Sequence, residues 1–333
     1  MKILVVGLGS MGKRRIRNLQ HLGIENIIGC DIRKDRLNEA ITKYNIKAFT
    51  KFEKALLENP EIVIISLPPK LHIDYLKKCI NLKKPFFVEL NILSNGLPSI
   101  IKQIKENKII GIPSSTMRYF EGPKIIKKLV NLKKIGMPLA WIYHSGQYLH
   151  DWHPWESIKN LFISEAETSG CKELAAIEIG WLTDTFGSIK SVYNQASKVS
   201  KLKTKIDDIN HITIEHESGV TGTLVVDVIS RIPVRNFRLL CTNGILEWDN
   251  VSKIVRYSNI KNKKWITHKL SYKIVENAYI NPEEPYIEEM KDFIDCIKYR
   301  KKPKYTFEQD YKNLKVLDAI ETSSKLTKKV VIK

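Results

Sequence analysis

Ile3-Leu4-Val5-Val6-Gly7-Leu8-Gly9-Ser10-Met11-Gly12 decides the fold: four consecutive apolar residues run into a GxGxxG pattern, and an amphipathic segment continues to residue 22. An apolar run with no polar face is a strand buried on both sides, and glycines between such a strand and a helix are the context that gives the pattern meaning. Gly7 permits a tight turn, Gly9 lets the backbone approach a pyrophosphate, and Gly12 allows close helix–sheet packing. The helix N-terminus presents N–H groups without intrahelical partners to an anion. Gly7, Gly9, Ser10, Met11 and Gly12 are therefore candidate dinucleotide contacts, with a purely structural glycine turn as the plainer alternative.

Outward from that bend the same rhythm holds through residue 110. Ile27-Ile28-Gly29-Cys30, Ile62-Val63-Ile64-Ile65, Pro85-Phe86-Phe87-Val88 and Ile109-Ile110-Gly111 read as strands, with helices over 36–44, 72–82 and 98–107. Apolar strands alternating with helices predict a doubly wound parallel α/β sheet, a Rossmann domain over 1–119. Asp31 ends the second strand 19 residues after Gly12, near the spacing of roughly 20 at which a carboxylate accepts ribose hydroxyl groups. That favours NAD over NADP, because a 2′-phosphate would face the carboxylate; Arg33 and Lys34 are cations that argue the other way.

Past Arg118 the pattern changes. A helix over 122–131 leads to an aromatic- and His-rich loop over 141–155 and a helix over 173–186. Period-2 strands follow at 212–216, 223–228, 237–240 and 245–248, the last after the turn Thr242-Asn243-Gly244. Helices over 285–299 and 308–326 and a strand over 330–332 close the chain. This predicts an α+β domain over 120–333 with a large, open, mostly antiparallel sheet packed on helices on one face. An open sheet needs a partner face, so a homodimer or homotetramer is expected.

Composition narrows the class. The 333 residues exceed the roughly 100–200 of one domain, and 43% are apolar, enough for two cores. No apolar run approaches the length of about 18 that spans a bilayer, and the amino terminus is a strand pattern without a cleavage site, so a cytoplasmic protein with no membrane partner is expected. Five dispersed cysteines without a CxxC pair read as reduced thiols. The net charge of +19 is spread over Lys77, Lys78, Lys83, Lys84, Lys127, Lys128, Lys133 and Lys134 rather than clustered. This fits an AT-rich genome or an anionic small molecule such as a nucleotide sugar, not nucleic acid.

These segments resemble the glucose–fructose oxidoreductase/inositol dehydrogenase family (Gfo/Idh/MocA) over essentially the whole chain. Ser66-Leu67-Pro68-Pro69-Lys70-Leu71-His72 is similar to the family's TPxxxH turn after the fourth strand, and Pro85-Phe86-Phe87-Val88-Glu89 to the strand that normally ends in Glu-Lys-Pro. The helix over 286–299 and the segment 323–332 also fit. The resemblance implies an NAD(P)-dependent oxidoreductase acting on a sugar or nucleotide-sugar hydroxyl or ketone, with Ser66, Leu67, Pro68 and His72 against the cofactor and Glu89 orienting cofactor or substrate. In the family the lysine after that glutamate transfers the proton. Here Leu90 and Asn91 follow, which leaves no acid–base group at that position and an amide that orients a ligand by hydrogen bonds. The family's DxxxH helix is matched by Gly170 to Ile177, with Glu173 at the Asp position and Ile177 at the His position; Lys172, Glu173 and Glu178 keep ionisable groups nearby. The pattern resembles a divergent branch associated with surface-polysaccharide and sugar biosynthesis.

Replacement chemistry is sought in Tyr143-His144 and in Tyr148-Leu149-His150-Asp151-Trp152-His153-Pro154-Trp155. Aromatic rings beside polar groups suit a sugar, and imidazole titrates near neutrality. His153, His150, Tyr148 and Glu173 are the candidate proton-transfer groups. Asn91, Arg118, Tyr143, Trp152, Trp155 and Lys172 are candidate substrate contacts. The same aromatics can instead pack a core, Arg118 can form a salt bridge, and the spacing of His150, Asp151 and His153 does not establish a metal site. A protein that keeps the dinucleotide site but binds sugar without redox chemistry is the alternative function. A transient use of tightly held NAD, in epimerisation or elimination, belongs with the first reading.

Overall fold

The computed structural model describes residues 1–152, 154, 156–261, 263–273, 276, 279 and 281–332. The chain divides into two compact units, Met1–Thr116 with Tyr272–Tyr311, and Met117–Ser271 with Lys312–Lys333.

The first unit begins β1 (Ile3–Val6), α1 (Ser10–His21), β2 (Ile27–Cys30), α2 (Lys34–Tyr44), β3 (Lys47–Phe49), α3 (Phe52–Leu56) and β4 (Ile62–Ile65). It continues α4 (His72–Asn81), β5 (Phe86–Val88), α5 (Leu97–Asn107) and β6 (Gly111–Pro113). The six strands form a parallel sheet in the order β3-β2-β1-β4-β5-β6, with Ile3 opposite both Ile27 and Ile62. Every residue of β1 and β4 is buried, as expected of strands covered on both faces. The strand order reverses between β1 and β4, and a crevice at such a reversal is where open α/β sheets bind ligands.

The second unit comprises α6 (Glu121–Asn131), β7 (Pro138–Gly146), α7 (Gly170–Phe186), β8 (Ile189–Ser197), β9 (Ile209–His216), β10 (Thr221–Asp227) and β11 (Val234–Cys241). It continues β12 (Gly244–Asp249), β13 (Ile254–Asn259) and β14 (Trp265–Lys269). The chain then enters α8 (Glu284–Tyr299) of the first unit, and α9 (Phe307–Leu326) and β15 (Val330–Val331) end it. Nine strands pair in the order β14-β13-β12-β11-β7-β10-β9-β8-β15, antiparallel except for β7 with β10. Thr242 and Asn243 make the two-residue hairpin between β11 and β12.

Two expectations are corrected. The aromatic stretch from 138 to 146 is a strand, not a loop. Trp141, Tyr143 and Ser145 alternate inward, against Trp181, Phe237 and Trp248, while Ile142 and His144 point away. Residues 272–311 also pack with the first unit rather than the second. The apolar face of α8 (Met290, Phe293, Ile294, Cys296) joins the core of the parallel sheet, with the Phe87 and Phe293 rings 5.5 Å apart. Burying that face removes a large apolar area from water at roughly 25 cal/mol per Å². Among the described residues no helix is long and apolar enough to cross a membrane.

Candidate functional site

The glycine bend has the geometry its residue types require. Gly7 sits at φ +88°, a left-handed conformation, and donates its N–H to the Cys30 carbonyl at 2.8 Å; a side chain there would meet the Ser66 carbonyl. A Cβ at Gly12 would lie 1.7 Å from the Gly7 carbonyl oxygen, so only glycine lets α1 approach the bend this closely. At Gly9 the nearest atom to a Cβ is the tip of Arg36 at 3.4 Å, so that position is open. No side chain caps the N-terminus of α1, which begins at the half-buried Ser10 and Met11. Free N–H groups at a helix start of this kind are suited to a diphosphate.

Asp31 stands beside this bend, buried, accepting the Leu8 N–H at 2.7 Å and the Arg33 N–H at 2.8 Å. Each carboxylate oxygen retains a lone pair, so ribose hydroxyls can still be accepted. The Arg33 side chain pairs with Asp35 at the surface, and it is Arg36, not singled out in the sequence, that approaches Asp31, at 3.9 Å.

The turn after β4 is braced from below. The Ser66 N–H donates to the Val6 carbonyl and its hydroxyl to Glu89; Leu67 is half-buried and Pro68 exposed. His72 is corrected from a cofactor contact to a support, being buried with Nε2 on the Leu67 carbonyl and Nδ1 on Asn91, both at 2.8 Å. Asn91, expected to meet substrate, is buried between His72 and Asp310. Glu89, expected to orient a ligand, receives two bonds from Arg15 at 2.7 and 2.8 Å. Arg15 is fully buried, also binds Glu289 at 2.9 Å, and lies 4.6 Å over the Phe87 ring. Burial opposes its charge, but the two carboxylates raise its pKa above the ordinary arginine value. Glu289 in turn accepts from the Ser115 N–H and the Thr116 hydroxyl. No local pattern in the sequence marked this group, since its partners lie up to 274 residues apart.

In the second unit the expected residues separate into core, pair and open groups. Tyr143 is corrected from a substrate contact to a core residue, fully buried with its hydroxyl on Glu178 at 2.7 Å. Arg118 pairs with Asp184 at 3.0 Å, where Lys127 also binds, and Lys172 pairs with Glu321 at 2.6 Å. His150 is exposed and stacks on Tyr148, whose ring carries the Arg231 guanidinium 3.7 Å from its centroid. His153 and Trp155 lie outside the described residues.

Two polar atoms stand apart. Glu173, in the first turn of α7, has Oε2 enclosed with no hydrogen-bond partner among the described residues, and burial pushes its carboxyl up to about 7. The indole N–H of the half-buried Trp152 is likewise enclosed with no partner among the described residues, and its ring is 3.7 Å from where a Cβ on Gly170 would stand. An enclosed polar atom left unpaired costs about 1–3 kcal/mol, and such sites are most often completed by a ligand or water. A further pair, His144 Nε2 on Asp227 Oδ2 at 2.6 Å, lies on the other face of the sheet. Burial works against the Asp227 charge, but His144 and the Ile229 and Ser230 N–H groups hold its carboxyl below the ordinary range. Among the described residues no three His, Cys, Asp or Glu side chains gather to hold a metal.

A glycine bend at the strand-order reversal, a helix start without a side-chain cap and a carboxylate beside them are the features of a Rossmann fold of the dinucleotide-binding kind. Residues 1–91 match the model of the Gfo/Idh/MocA oxidoreductase family, described by its NAD-binding Rossmann fold. Solved structures extend the likeness of fold to the whole chain. An oxidoreductase from Agrobacterium radiobacter, in complex with NAD+, L-tartaric acid and magnesium, is 13% identical with a TM-score of 0.88, covering 100% of this chain and 98% of that one. Levoglucosan dehydrogenase, in complex with NADH and levoglucosan, is 16% identical at 0.85, over 100% and 99%. An NAD-binding oxidoreductase from Klebsiella pneumoniae is 15% identical at 0.84, over 100% and 99%. No curated protein matches the sequence.

Proposed function

We propose that the chain is an NAD-dependent oxidoreductase that interconverts a hydroxyl and a ketone on a sugar or nucleotide sugar. The observation that carries this reading is Glu173, an enclosed carboxyl with an unpartnered oxygen and a proton affinity matched to neutral pH. A general acid–base group works best when its pKa lies near the operating pH, and burial supplies that match here. NAD held at the bend of Gly7 to Gly12 and beside Asp31 would supply the hydride acceptor for the hydroxyl-bearing carbon. Glu173 takes the hydroxyl proton as that C–H bond breaks and the C=O bond forms, and returns it in the reverse direction, the role that Leu90 cannot fill. His150, Tyr148 and the undescribed His153 are the other proposed donors.

Trp152 offers a sugar an apolar ring face and an indole donor. Arg231 over Tyr148 adds a cation suited to the phosphates of a nucleotide sugar. Asp31 supports NAD over NADP, since a 2′-phosphate beside a buried carboxylate is repelled; comparing the Michaelis constants for NADH and NADPH tests it. The exposed face of the second sheet, with Ile142 and Tyr193 set among polar residues, supports a homo-oligomer formed there.

The deciding experiment mixes purified protein with NADH and a panel of keto-sugars and oxidised nucleotide sugars while the reduced-nicotinamide absorbance is followed. Consumption of NADH with at least one of them is the expected result. Bound NADH with no turnover across the panel would replace this reading with that of a sugar-binding or regulatory protein.

A further inference from the structure

A chain of buried hydrogen bonds runs from the turn at 66–72 to the start of α9. His72 Nε2 meets the Leu67 carbonyl at 2.8 Å, His72 Nδ1 meets Asn91 at 2.8 Å, and Asn91 meets Asp310 Oδ2 at 2.7 Å. The Tyr305 hydroxyl donates to the other Asp310 oxygen at 3.0 Å. His72, Asn91 and Asp310 are each at most 4% exposed, so bulk water does not reach them.

The Leu67 carbonyl only accepts, so His72 must carry a proton on Nε2. An amide side chain has one donating and one accepting end, so Asn91, in either orientation, supplies the proton for one of its two bonds and not the other. The other bond needs a proton from His72 Nδ1 or from Asp310. The three bonds together require one proton more than a neutral imidazole beside an ionised carboxylate contains.

We propose that this one shared proton, held between His72 and Asp310, keeps the Leu67 turn in its dinucleotide-facing arrangement, so that Asp310 is a positioning residue for nicotinamide-nucleotide binding. The inference rests on the reading of the 66–72 turn as the cofactor-facing one. Burial raises the Asp310 carboxyl to about 7 and lowers His72, which favours the proton on Asp310, with the Asn91 amide turned so that its oxygen faces that carboxyl. The other ionisable groups that act on the chain are Tyr305, which donates to Asp310, and Glu89, whose charge favours protonated His72 and is itself paired with Arg15. Once the proton is lost, one bond has two acceptors and no hydrogen. If His72 moves its N–H to face Asn91, the bare Nε2 confronts the Leu67 carbonyl and the turn is released from below.

Asp310→Asn separates the proton from the side chain. Its amide nitrogen donates to Asn91 as protonated Asp310 would, its oxygen accepts from Tyr305, and it cannot ionise. NADH affinity is measured by fluorescence titration between pH 6 and pH 9 in the wild type, Asp310→Asn and Asp310→Ala. The wild type should weaken about tenfold across that range, Asp310→Asn should be flat, and Asp310→Ala should bind weakly throughout. Parallel profiles for the wild type and Asp310→Asn overturn the proposal. If no variant binds NADH at any pH, the proposed function fails, and the His72 ring nitrogen and proton resonances of the ligand-free protein decide the present inference. An Nε2–H signal that fades above neutrality in the wild type and persists in Asp310→Asn supports it; a signal indifferent to both pH and substitution overturns it.

Discussion

At the scale of single residues, three positions separate folding from chemistry. Gly12 and Gly9 sit in one motif yet answer to different constraints: a Cβ on Gly12 collides with the Gly7 carbonyl, whereas one on Gly9 meets only the movable tip of Arg36. Gly12→Ala should cost about 3 kcal/mol or more of stability, at the top of the overpacking range, read by urea unfolding. Gly9→Ala should fold with an unchanged midpoint and lose at least tenfold in NADH affinity, because its methyl occupies the approach to the diphosphate; calorimetry on the folded variant checks it. Glu173→Gln should lower kcat by about 10²–10⁴-fold, the usual contribution of a positioned acid–base group, and should abolish a titration near pH 7 in the kcat profile. A kcat unchanged in that variant would move the proton transfer to His150, Tyr148 or His153.

At the scale of elements, the Arg15 group pins three of them: α1, the end of β5 through Glu89, and α8 through Glu289. Removing one member of a buried ionic group strands the others, so Arg15→Met should destabilise by about 3–5 kcal/mol. Adding Glu89→Gln and Glu289→Gln to it should recover part of that loss, again by urea unfolding. The elements themselves were unequally legible. The parallel sheet could be read because β1 and β4 are apolar on both faces and a glycine bend follows the first. The strand β7 reads as a loop when its Trp, Tyr and His residues are weighed as a ligand-binding cluster, although Trp141, Tyr143 and Ser145 keep the period of two. The location of Glu173 at a helix start was legible from Gly170 and the residues after it, whereas its enclosure was not. Asn91 finds Asp310 on α9 and Arg15 finds Glu289 on α8, far along the chain, and no local pattern announces such pairings.

For the molecule as a whole, two carboxyls held at about 7 lie one in each unit, Asp310 in the first and Glu173 in the second. Both ionise near pH 4 when unfolded, so the folded state binds the extra proton. Their contribution is complete below about pH 4 and is lost as pH rises through 7. Carboxyls shifted the other way, Asp227 and Asp208 among them, lose their contribution as pH falls through their depressed values. Thermal stability should therefore peak between roughly pH 4 and pH 6, with Asp310→Asn and Glu173→Gln each flattening the decline toward pH 8; a melting temperature that climbs steadily to pH 8 would contradict this.

The return of α8 to the first core also sets an order of events during synthesis. The sheet of Phe87 and the helix α1 of Arg15 are complete by Thr116, but the helix that packs on them is made about 170 residues later. At a ribosomal pace of about 5–20 residues per second, that leaves an apolar face and a buried cation uncovered for about 10–30 s. The nascent chain in that interval is a natural client for a chaperone, and a fragment ending near residue 119 should aggregate when made alone.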